Sequence, residues 1–155
     1  MDVRVTRVSG TLANPRRAVL VRAVGRTISA YFDAAFLAGD YPRTDFDDAF
    51  SSFSKGAAER AERDRDLLTT GDLGGSTDSV TPQRKEVSLS VLAANGAASG
   101  VTAHIRLVFV ADRGARPWRV TTSGRLLLTR NSGRWEIFGY DVTRSAVPRD
   151  RGVNR

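Results

Sequence analysis

Residues Arg119-Val-Thr-Thr-Ser-Gly-Arg-Leu-Leu-Leu-Thr129, then Asn131-Ser-Gly133, then Arg134-Trp-Glu-Ile-Phe-Gly-Tyr-Asp-Val142 read as a β-hairpin. Two runs rich in β-branched, leucine and aromatic residues flank a short Asn/Ser/Gly cluster, the composition of a hairpin turn. Upstream, Val101, Ala103, Ile105, Leu107 and Phe109 alternate with Thr102, His104 and Arg106, which predicts a strand with one apolar face. Strands are expected at 86–93, 101–111, 118–129 and 134–142, with Asn95-Gly96 as a second turn. The consecutive Leu126, Leu127 and Leu128 place leucine on both faces of one strand. On its partner, Trp135 and Ile137 are expected on one face, Phe138 and Tyr140 on the other. An antiparallel sheet with one wet face alternates more cleanly. Both faces are therefore expected to be covered, one by helices and one by a second copy of the chain near His104, Arg106 and Leu127.

The N-terminal half predicts those helices. Val3, Val5 and Val8 point to a short strand or extended arm over 1–13. Asn14-Pro15 marks a helix start, with asparagine as cap and proline in the first turn. Val19, Leu20, Ala23, Val24, Thr27, Ile28, Tyr31, Phe32, Ala35 and Phe36 then form one apolar stripe, and Gly39 is the expected terminator. Thr44 and Asp47 resemble a capping pair ahead of a helix carrying Phe46, Phe50 and Phe53 on one face. A third helix is expected over 57–68, with Glu59 and Arg63 paired on a solvated face. Helices followed by an antiparallel meander predict an α+β domain over 14–144, with helices packed on a curved sheet. Residues 145–155 are expected to form a mobile basic tail.

Composition removes several functions. The chain has 155 residues and no cysteine, so disulfides, thiolate metal sites and cysteine nucleophiles are excluded. With one histidine and no cysteine a transition-metal site is nearly excluded, and no cofactor motif occurs. The net charge of +7 is carried almost wholly by scattered arginines, which with the abundant alanine fits a GC-rich coding bias. Nucleic-acid binding needs a clustered basic footprint and is not expected. No apolar run approaches the ~20 residues of a membrane span. The start, Met1-Asp-Val-Arg-Val-Thr-Arg7, does not read as a signal peptide. As a complete chain the protein is expected in the cytoplasm; if a leader or anchor has been removed, it is expected outside it.

The order of elements, together with the ending Gly124-Arg-Leu-Leu-Leu-Thr-Arg130 and Gly133-Arg-Trp-Glu-Ile-Phe-Gly-Tyr-Asp-Val142, resembles the nuclear transport factor 2-like superfamily. More narrowly, it is similar to actinobacterial extracytoplasmic members associated with the mammalian cell entry (Mce) lipid transporters. The resemblance implies a cystatin-like cone with a pocket between sheet and helices, often dimeric through the sheet. The superfamily includes ketosteroid isomerase-like enzymes, in which a carboxylate base works with a tyrosine and a protonated aspartate. Tyr31 and Asp40 are the available counterparts, with no acid on an apolar strand face to complete the set. The simpler reading makes Tyr31 a core residue with a bonded hydroxyl and Asp40 a turn residue. Tyr31, Phe32, Phe36, Tyr41, Phe46, Phe50, Trp135 and Tyr140 are the candidate pocket lining for an apolar small molecule. The expected function is a noncatalytic ligand-binding or protein-assembly module, homodimeric through the sheet. A small lyase or isomerase of the ketosteroid isomerase or dehydratase type is the alternative.

Overall fold

The computed structural model describes residues 1–149. Five strands, β1 (Asp2–Ser9), β2 (Ser79–Ala94), β3 (Ala97–Arg113), β4 (Arg116–Asn131) and β5 (Arg134–Pro148), pair in sequence order. The helices α1 (Asn14–Phe32), α2 (Lys55–Arg63) and α3 (Arg65–Leu68) lie between β1 and β2 in the chain. The fold is therefore α+β as expected: a long N-terminal helix packed on a five-stranded, largely antiparallel sheet. β1 is the exception. It pairs in parallel with β2, because the connection through the helices returns the chain in the same direction.

The hairpins form where the turn residues direct. Asn95-Gly96 and Ser132-Gly133 adopt positive φ, the backbone that two-residue hairpin turns require. The strands run longer than their apolar cores. β2 begins at Ser79 and carries Gln83 and Arg84 exposed, and β5 continues to Pro148, past the boundary expected at 144. Residues 150–155 of the expected tail lie outside the described residues.

Register corrects one expectation about faces. Leu128 pairs with Ile137 but Leu127 pairs with Gly139, so Phe138 is an inserted bulge residue. The bulge returns Tyr140 to the helix-covered side with Ile137 and leaves Phe138 on the open face, 41% exposed.

Two helix starts also differ from expectation. Asn14 is the first helical residue; Ala13 occupies the cap and no side chain bonds there. The carbonyls at the other end are closed by Arg43, whose guanidinium donates to Ala34 O (2.6 Å) and Ala38 O (2.8 Å). The last turn, Asp33–Leu37, is π-helical, and Gly39 follows at φ +92°. Residues 47–52 form successive turns rather than a helix, although Phe46, Phe50 and Phe53 are all buried. Their backbone is committed elsewhere: Ile137 N donates to Ser52 O, and Ser54 N donates to Ile137 O, covering the start of the β5 edge. Ser54 then caps α2 through its hydroxyl on Ala57 N. Arg65 pairs with Glu62 and Asp47, whereas Glu59 and Arg63 form no ion pair among the described residues.

Candidate functional site

The apolar stripe of α1 and the inner faces of the strands meet in one closely packed core. Tyr31, Phe32, Phe36 and Phe46 are fully buried within it, with Phe50 and Phe53 at its margin. Tyr31 has its ring centroid 5.1 Å from Phe53 and 5.8 Å from Phe36, both edge-on, and Phe36 stands 5.9 Å from Phe109. These rings fill the space between helix and sheet, where a family-type pocket is expected. The Tyr31 hydroxyl donates to Leu68 O at 2.8 Å, and burial pushes its pKa well above the ordinary value. Asp40 is exposed whereas Tyr31 is fully buried with its hydroxyl bonded to backbone, so the two candidate catalytic groups stand in different surroundings. Tyr41 is half-buried and donates to Phe36 O (2.6 Å), with Thr70 Oγ1 at 2.9 Å. Tyr140 is half-buried and donates to Asp64 Oδ2 (2.7 Å); burial first, and then that bond, push its pKa up to about 12.

Open space lies instead along the flank of α1. Thr27 Oγ1 donates to Trp135 O (3.1 Å), fastening the start of β5 to the helix. The neighbouring residues Ala23, Ala97 and Ala98 are too small to close the gap. A groove results, in two lobes that meet at Ala23, Gly133 and Trp135. The first, about 280 Å³, has an apolar floor of Leu12, Leu20 and the alanines, with Val19 at its edge, 58% exposed. The second, about 520 Å³, is polar and carries Thr27, Ser51, Ser52, Arg26, Arg134 and Glu136. Of the residues expected to line a pocket, Trp135 lines this one and the other seven do not. Arg26 and Arg134 had no local pattern to single them out; they come together only because β5 starts beside α1.

The three residues expected at an interface stand on the face away from the helices. His104 and Arg106 are exposed and Leu127 is half-buried. A shallow depression of about 230 Å³ opens on that face beside Gly100, bordered by Leu92, Leu127 and Phe138. A Cβ built at Gly100 meets nothing within 4 Å.

Among the described residues no group of three or more His, Asp or Glu could hold a metal ion, and no helix is long and apolar enough to cross a membrane. No family model, curated protein or solved structure matches this chain.

Proposed function

We propose that this chain is a noncatalytic small-ligand-binding module of the nuclear transport factor 2-like kind. The observation that carries the reading is the groove at Trp135. There an aromatic side chain and an apolar floor stay accessible beside a cluster of polar groups, the composition of a ligand site. The lyase or isomerase reading draws no support from the geometry, because Tyr31 and Asp40 do not converge. The neutral dye Nile red tests the proposal. In a Trp118→Phe chain, where Trp135 is the sole indole, the dye is expected to brighten and to accept excitation energy from Trp135. Replacing Trp135 by Ala is expected to weaken the dye by about tenfold or more, as loss of a large aromatic contact does. Dye binding unaffected by Trp135→Ala, or absent, removes the reading.

A second reading rests on a different observation. The depression beside Gly100 and the exposed Phe138 ring at its border stand on the same sheet face. A knob and a hollow on one surface suit an isologous two-fold contact, in which each copy fills the other. The occupant proposed for this face is therefore a second copy of the chain. Wild type is expected to sediment as a dimer at micromolar concentration and Phe138→Arg as a monomer. A monomeric wild type refutes the contact.

A further inference from the structure

We propose that the groove at Trp135 binds a single-chain anionic amphiphile, its tail in the apolar lobe and its acidic head in the polar one. The inference rests on the ligand-binding reading and adds the ligand class. Three observations carry it.

The first is segregation. Apolar lining dominates on one side of Trp135, and the polar groups gather on the other, where Ala30 and Phe53 stand among them. A ligand that fits must have its polar and apolar parts at opposite ends. An extended peptide does not: it would lay backbone amides along an apolar floor with no partners for them.

The second is charge. Arg16 and Arg130 border the apolar lobe, Arg26 and Arg134 the polar one, and Glu136 is the single acid in the lining. None of the four arginines forms an ion pair among the described residues. Glu136 is itself engaged by Asn131 Nδ2 (3.3 Å). The polar lobe presents two guanidiniums against this one carboxylate, an excess of cationic groups, and guanidiniums favour planar, bidentate oxyanions such as a carboxylate.

The third is the division of labour among the arginines. The Arg16 guanidinium donates to Gly96 O (2.7 Å), which leaves its aliphatic stem as wall of the apolar lobe. Arg26 and Arg134 make no side-chain hydrogen bond among the described residues and are exposed, so they reach the head group without breaking a contact. Ser51 and Ser52 line the same lobe, and a serine hydroxyl is a further donor type for an anionic head.

Decanoate, decanol and decyltrimethylammonium at concentrations below micelle formation test the assignment, read by Trp135 emission in the Trp118→Phe chain. Decanoate is expected to bind at least about tenfold more tightly than the cationic analogue. The double variant Arg26→Ala/Arg134→Ala should weaken decanoate by about tenfold and leave decanol unchanged. Glu136→Gln should tighten decanoate by about two- to threefold, the size of an exposed charge interaction. Nile red binding, kept as a folding and groove control, should persist in all three chains. Equal affinity for the three ligands, or decanoate binding that survives the double variant, overturns the anionic class. If Nile red still depends on Trp135 in that case, the ligand-binding reading stands. Binding to vesicles of anionic lipid without binding to monomeric decanoate also overturns it, in favour of a membrane surface. Loss of Nile red and decanoate together in the parent chain sinks both.

Discussion

Gly124→Ala is expected to lower stability by about 2–4 kcal/mol, the sum of a strained backbone and a steric clash. Gly124 lies in β4 with Ile105 and Val142 as its neighbours on the two flanking strands. Its φ is +141°, a conformation that side chains rarely adopt. A Cβ there would stand 2.2 Å from Asp141 O and 2.7 Å from Val142 Cα. Both obstacles are backbone of the paired strand, so neither moves without separating β4 from β5. Gly133 supplies the control. It also has positive φ (+77°), yet a Cβ there meets nothing within 4 Å. Gly133→Ala should therefore cost only the backbone term, about 1 kcal/mol. Urea unfolding of the two variants distinguishes strain from clash. Equal midpoints would mean that β4 and β5 can part freely at this position, and that the close approach contributes nothing.

The hairpin containing that glycine was legible because its signals are local. Alternation has a period of two, and Ser132-Gly133 sits between two such runs. What escaped was anything that changes the count. The inserted Phe138 reverses the parity of every later residue, and its own identity gives no sign of that. The ends of β2 escaped for another reason. Gln83 and Arg84 are polar because they face solvent, so no apolar pattern marks them as strand. Phe46, Phe50 and Phe53 misled in the opposite sense. Spacings of three and four place rings together on a helix, but successive turns bury them equally well once the backbone has β5 to pair with. The same reasoning explains the groove. Trp135 could be named as a candidate pocket residue by its type alone. Its neighbours Ala23 and Arg26 are more than a hundred residues away in the chain, and a gap left by small side chains carries no sequence motif.

Phe36→Ala is expected to destabilise the protein most, by about 3–5 kcal/mol, as deletion of a fully buried aromatic ring does. The ring touches Tyr31 from α1 and Phe109 from β3, so its removal unpins helix from sheet at the centre of the core. The site cannot collapse easily, because Phe36 belongs to the π-helical turn whose carbonyls Tyr41 and Arg43 hold in place. This variant also locates the ligand. Phe36 lines neither lobe of the groove, so decanoate affinity should be unchanged at temperatures where the variant is folded. Compared at one temperature, the ligand should then stabilise both chains by the same free-energy increment, since linkage depends only on concentration and affinity for the folded state. A ligand held among the core rings predicts something else. Truncating Phe36 would enlarge its site directly, and affinity would change along with stability. Calorimetry on the wild type and Phe36→Ala, each with and without decanoate, distinguishes the two: equal increments place the ligand outside the core, and a changed increment in the variant places it among the rings that fill the interior.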